Sequence, residues 1–338
     1  MLLADFGATI VRIDRPGAKA APDPVLGPGR QTVTLDLKQQ VDRESAIRLI
    51  SGSNVLLEGF RPGVMERLGL GPRDCHQTNN KLVYARLTGS GQAGELSSKA
   101  GHDINYIAMA GVLGSIGGEK PVIPLNLIGD YAGGALLAAF GILAALRAVE
   151  GGERHLVVDS SMRAGAAYLM SYQFQQLALG AWQDSRNSNV LDGAAPFYDT
   201  YRCADGKWLA VGAIEDKFYG QLLTGLALPQ LRAVDRLDPA HYHYAQLRNA
   251  FAERFESKPR VHWLARFREL DACVSPVLSM TELASDISIM RQRAPGVVEP
   301  RPTPVLSSCP ARFFSAASAD NSHPGVSEGL QVFEVTGR

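Results

Sequence analysis

The feature that most limits what this chain can become is the alternation, through its first half, of short β-branched runs with helical segments. Thr9-Ile10-Val11-Arg12-Ile13-Asp14 is the first such run, ended by Pro16-Gly17. Residues 32–38, 54–60 and 81–87 repeat it, with a helical pattern over 41–50 and a helical turn over 64–68 between them. Strands separated by helices are joined by crossovers rather than hairpins, so the spacing predicts a parallel sheet covered by helices. His155-Leu156-Val157-Val158-Asp159 adds a buried strand, and 162–179 a helix. Ligands of such open sheets bind at the carboxyl edge of the strands.

A polar stretch over 183–193 reads as a linker. Beyond it, residues 197–202 and 207–211 flank Cys203-Ala204-Asp205-Gly206, a hairpin with an Asp-Gly turn. Helical patterns over 217–226, 244–256 and 261–270 and a strand over 273–278 complete a smaller α+β domain. The expected division is a large Rossmann-like domain over 1–182, completed by a proline-bearing tail over 300–338, and a small domain over 194–299. A length of 338 residues suits two domains.

Lys plus Arg and Asp plus Glu number 34 each, so no net field draws nucleic acid or an anionic membrane, and a polyanionic ligand must be met by a local cluster. Cys75, Cys203, Cys273 and Cys309 are widely spaced and His241-x-His243 stands without further ligands, which predicts no disulfide, no metal site and a reducing compartment, cytoplasmic or other. No segment reads as a membrane span or signal peptide, and Thr336-Gly337-Arg338 is no peroxisomal tripeptide.

Two helix starts carry acid/base groups. Gly101-His102-Asp103-Ile104-Asn105-Tyr106 leads into an apolar segment, and His102 or Asp103 is placed to cap the first turn, whose N–H groups also favour an oxyanion. Gly129-Asp130-Tyr131-Ala132-Gly133-Gly134 opens the apolar helix 135–148. Each group alone is equally a capping residue. Arg15, Lys38, Arg61 and Arg86 accumulate at strand ends, with Arg67 nearby, as phosphate ligands or as solvated charges. Gly89-Ser90-Gly91-Gln92-Ala93-Gly94 has dinucleotide spacing, but a polar loop follows where a helix is required.

The pair AGHDINY and PLNLIGDYAGG, with VRIDRP, LDLK, VLLEGFRPGVMERLGLGP, LDGAAPFYDTYRCADG and DACVSPVL, resembles the alpha-methylacyl-CoA racemases of the class III CoA-transferase superfamily along nearly the whole chain. The resemblance implies an interlocked homodimer that racemises 2-methylacyl-CoA thioesters, with coenzyme A as part of the substrate and no separate cofactor. It implies His102 and Asp130 as the two bases and Glu215 as the carboxylate orienting the histidine across a subunit boundary. Arg15, the segment Leu35-Asp36-Leu37-Lys38 and the run Gly101, Asp103, Ile104, Asn105 and Tyr106 match positions that lie along coenzyme A; Arg61 and Arg86 are added here as further ligands.

Three departures qualify this picture. The transferase branch has a nucleophilic aspartate early in the helix that begins near Met162, where this chain has Ala164, so CoA transfer is the disfavoured alternative. The family continues Glu-Pro where this chain reads Glu215-Asp216. Its members also begin with a strand and a Gly-Pro turn ahead of the position of Met1. The chain is therefore expected to leave a central slot with unpaired strand edges, and an acyl-CoA binding protein without activity is a further alternative.

Overall fold

The computed structural model describes residues 1–18, 23–236, 243–307 and 331–335; His241 and Cys309 lie outside them. The chain divides into two units, one formed by Met1–Val112, Pro124–Ser171 and Asp286–Arg338 and the other by Leu113–Ile123 and Tyr172–Ser285.

The first unit is built on a six-stranded sheet of β1 (Thr9–Asp14), β2 (Arg30–Thr34), β3 (Val55–Glu58), β4 (Val83–Thr88), β5 (Val157–Ser161) and β11 (Gln331–Val335). Every pairing is parallel, in the order β2-β1-β11-β3-β4-β5. Counting β11 as the first strand turns this into the doubly wound order 3-2-1-4-5-6. The strand that comes last in the chain therefore occupies the centre. Val11 pairs with Phe333 on one side of it and Phe333 with Leu56 on the other. This corrects the expectation of an empty slot: the backbone groups of β1 and β3 are met by a segment from the far end of the sequence. Val332, Phe333 and Val335 are buried there, each contributing roughly 1.5–3 kcal/mol of apolar burial.

Alternation along the strands sends side chains to two apolar layers. Ile10, Val55, Val83, Ala85 and Val332 pack under α1 (Leu2–Asp5) and α6 (Leu137–Glu150). Ile13, Leu56, Tyr84, Phe333 and Val335 pack under α2 (Gln40–Ser51), α3 (Val64–Arg67) and α4 (Pro72–Thr78). The helix expected over 135–148 starts earlier. A π-helical segment, Leu127–Leu136, runs without a break into α6, and α5 (Asp103–Met109) and α7 (Met162–Leu169) pack against it. The continuous helix Leu127–Glu150 is long and apolar enough to cross a membrane, which corrects the reading that no segment reaches that length. The Gly133-Gly134 pair read as a helix boundary is instead internal to it. A short hairpin, β9 (Met290–Ala294) and β10 (Val297–Pro300), also belongs to this unit.

The second unit has the expected hairpin, β6 (Tyr198–Arg202) and β7 (Trp208–Gly212), extended by β8 (Val274–Pro276) into an antiparallel sheet. Its core joins Phe197, Tyr201 and Leu209 to side chains from α9 (Asp216–Leu226), α10 (Tyr244–Glu256) and α11 (Arg260–Phe267). The helix read over 162–179 divides at Met170 into α7 and α8 (Ser171–Ala178), and α12 (Met280–Leu283) closes the unit.

Candidate active site

The carboxyl edge of the large sheet gathers most of the residues singled out in the sequence. Arg15 follows β1 and is exposed. Residues 35–38 lie just beyond β2 rather than within it, because the chain turns there: Leu35 N–H donates to Asp14 O at 2.9 Å, and Asp36 N–H to Asp42 Oδ2 at 2.7 Å. Lys38 N–H donates to Asp36 Oδ1 at 3.1 Å, closing an Asx turn that presents the exposed Lys38 beside the end of β1. Leu35 is buried beneath the turn, and Leu37 is partly covered.

His102 caps α5 in extended backbone, and its N–H donates to Asn105 Oδ1 at 3.1 Å. The sequence offers His102 or Asp103 as the cap of α5, and Asp103 does not cap that helix. Its carboxylate instead caps the other one: Oδ2 accepts Gly129 N–H at 2.7 Å and Asp130 N–H at 2.8 Å. Asp103 is 4% exposed, so this anion is withdrawn from solvent and placed at the positive end of the π-helical segment. Asp130 lies within the first turn of that segment, partly exposed, and its Oδ2 accepts from Asn126 Nδ2 at 3.2 Å. His102 and Asp130 thus flank one hydrogen-bonded junction. A π-helical distortion at this point re-aims side chains relative to a regular helix.

Tyr106 ties the junction to the sheet. Its hydroxyl donates to Gly101 O at 2.7 Å, and its ring fills space that a Cβ on Gly89 would enter at 2.4 Å. Gly89, the first glycine of the loop after β4, thus leaves room for the tyrosine ring. Burial and the charge of Asp130 raise the Tyr106 phenol above its ordinary range, while Arg61 opposes them, so Arg61, Tyr106 and Asp130 share one electrostatic neighbourhood. Ile104 and Asn105 lie exposed on α5.

Arg86 is placed differently. It sits in register between Glu58 and Asp159 on neighbouring strands. It contacts Glu66, lies 3.8 Å from Glu58 Oε1 and donates to Gln92 Oε1 at 3.2 Å. Its guanidinium already serves carboxylates of the protein itself. Arg61 is exposed and lines a cleft of about 780 Å³ with Arg12, Arg30, Glu58, Glu334 and Val335. The lining of this cleft draws on β1, β2, β3 and β11 together with the turn that follows β3. Sequence reading missed Arg30 because its partner Glu334, 3.6 Å away, belongs to a strand not identified there; Arg12, also missed, binds Asp14 at 2.8 Å.

The sequence matches CoA-transferase family III over residues 1–321. The chain belongs to that family. An alpha-methylacyl-CoA racemase of Mus musculus and one of Homo sapiens are 44% and 43% identical to it over 319 residues, covering 92% of this chain and 82% of theirs. The orthorhombic crystal structure of Rv3272 from M. tuberculosis matches with a TM-score of 0.75 at 27% identity, over 93% of this chain and 89% of that one.

Within the family's frame, Ala164 stands in the first turn of α7, its N–H donating to the Ser161 cap at 3.3 Å. The helix reaches the π-helical segment by backbone contact: a Cβ on Gly165 would lie 1.9 Å from Gly133 O. No carboxylate stands at 164. Glu215 belongs to the other unit, where it is the exposed N-cap of α9.

Proposed function

We propose that the protein racemises 2-methylacyl-CoA thioesters by two-base 1,1-proton transfer through an enolate. On this reading it is an isomerase, as the likeness to the mouse and human racemases supports. The observation that carries the reading is the Asp103 carboxylate bound to the backbone of Asp130, which brings the helix starts of His102 and Asp130 to one place. For one enantiomer His102 accepts the Cα proton and protonated Asp130 donates; for the other the roles exchange. Each positioned group supplies on the order of 10²–10⁴-fold. The His102 N–H is given to Asn105, so stabilisation of the enolate oxygen falls to the N–H of Asp103 at the helix start. Coenzyme A, held by its phosphates at Arg15, Lys38 and Arg61, contributes remote binding energy.

Incubation of either enantiomer of a 2-methylacyl-CoA in D₂O is expected to wash deuterium into Cα. Acyl exchange with free acids without that label favours CoA transfer, which Ala164 speaks against. The seating of β11 in the sheet speaks against a binding protein without activity.

The working form is a homodimer. Leu136, Phe140 and Leu143 stand exposed at helical spacing on the long apolar helix, a face suited to a second copy. Glu215 of one subunit then serves His102 of the other. Mixing His102→Ala with Glu215→Ala subunits restores part of the activity, and a monomer by light scattering refutes the exchange.

A further inference from the structure

We propose that Arg236 is a positioning residue for Glu215, holding that carboxylate at the start of α9 by gripping the residues on either side of it. The inference rests on the reading of Glu215 as a member of the catalytic set.

Glu215 has extended backbone, φ −76° and ψ 149°, and its carbonyl accepts the first helical bond from Tyr219 N–H at 2.9 Å. The buried Arg236 donates from Nη2 both to Ile214 O at 2.7 Å and to Asp216 Oδ1 at 2.8 Å. Its guanidinium carbon stands 4.6 Å from the ring centroid of Tyr219 and 5.2 Å from that of Phe197. Both rings belong to the core of the small unit, so the planar guanidinium is held by packed aromatic faces. Arg232 Nη1 adds a bond to Asp216 O at 3.2 Å.

The Asp216 side chain is 83% exposed, and an open ion pair of this kind contributes little stability on its own. What it supplies is geometry. The carbonyl before Glu215 and the side chain after it are tied to one rigid group, which limits the swing of the carboxylate between them. A carboxylate that must orient a group on another element gains from such preorganisation. Asp216 is also the first helical residue of α9, the position where proline is preorganised for a helix. Proline and the arginine clamp are thus two physical routes to the same constraint.

The test compares Asp216→Ala with Asp216→Pro in the full-length protein, reading deuterium incorporation at Cα and melting temperature. Both delete the carboxylate that Arg236 holds. Positioning predicts that Asp216→Ala lowers kcat on the order of 10-fold with KM unchanged, whereas Asp216→Pro stays within about 3-fold of the wild type because its fixed φ replaces the clamp. Arg236→Lys keeps the charge, loses the planar group seated against Tyr219 and Phe197 and lowers kcat as Asp216→Ala does, but causes no further loss in a Glu215→Ala background. Equal losses for Asp216→Ala and Asp216→Pro, or losses that multiply with Glu215→Ala, overturn the proposal. If Glu215→Ala itself leaves kcat unchanged, the reading of Glu215 fails and this inference with it. If Glu215→Ala is inactive while Asp216→Ala matches the wild type, the role of Arg236 alone is refuted.

Discussion

The carboxylate of Asp103 receives the backbone N–H of Asp130 at 2.8 Å, and that bond joins two helix starts that are far apart in the chain. The same oxygen receives Gly129 N–H, and a Cβ on Gly129 would approach it to 2.7 Å. A buried anion, a glycine and the start of a π-helical segment are therefore one unit of structure. Asp103→Ala strands both N–H groups, each costing about 1–3 kcal/mol. The expected result is a lower melting temperature and a fall in kcat larger than any change in KM; unchanged kinetics would show that the junction does not set the geometry of the site.

His102→Ala and Asp130→Ala are each expected to lose on the order of 10²–10⁴-fold in deuterium incorporation at Cα. CoA binding by calorimetry should survive in both. Arg15→Ala should do the reverse, raising KM with kcat largely kept. Near wild-type rates in both catalytic variants would sink the two-base assignment.

Gly165→Ala tests the approach of α7 to the π-helical segment. With the added methyl 1.9 Å from Gly133 O, the two helices must separate. A loss of about 1–3 kcal/mol by denaturant unfolding is expected, as for overpacking elsewhere. Asp130, on the displaced segment, should lose activity with it. Ala164→Gly, at an exposed neighbouring position, should cost less.

Glu58 gives a pH prediction. Burial pushes its carboxyl up from 4.5 to about 7, against the Phe60 N–H and Arg86, which favour the anion. The folded chain therefore keeps a proton that the unfolded chain releases between pH 4.5 and about 7, so this group's contribution to stability falls as pH rises through that window. Melting temperatures measured across it should slope downward by that contribution, and Glu58→Gln should flatten the slope. A slope equal in both proteins removes Glu58 as its source.

Phe333→Asp places a charge in the middle of the sheet, at a position 2% exposed. The expected outcome is insoluble or uncooperatively folding protein, with hydrogen exchange in β1 and β3 accelerated. A soluble variant with wild-type protection in both strands would show that β11 is dispensable.

The alternation of apolar strands and helices was enough to place β1, β3 and β4, the small-unit hairpin and the parallel class of the sheet, because these follow from local periodicity. His102 and Asp130 were legible as a pair, since each stands beside glycines in a helix-start pattern. What local pattern could not carry was decided in three dimensions. A strand at the far end of the chain became the centre of the sheet because β1 and β3 leave an apolar slot there, lined by residues distant in sequence, and its occupant is chosen by burial and ladder hydrogen bonds. Arg86, read from its strand end as a phosphate ligand, is paired with Glu58 and Glu66, since cross-strand register and not sequence position sets its neighbours. Asp103 caps a helix other than its own because an orphan N–H takes whichever acceptor packing brings near. Sequence by itself determined where acid/base groups stand beside helix starts; tertiary packing decided which of those starts are joined.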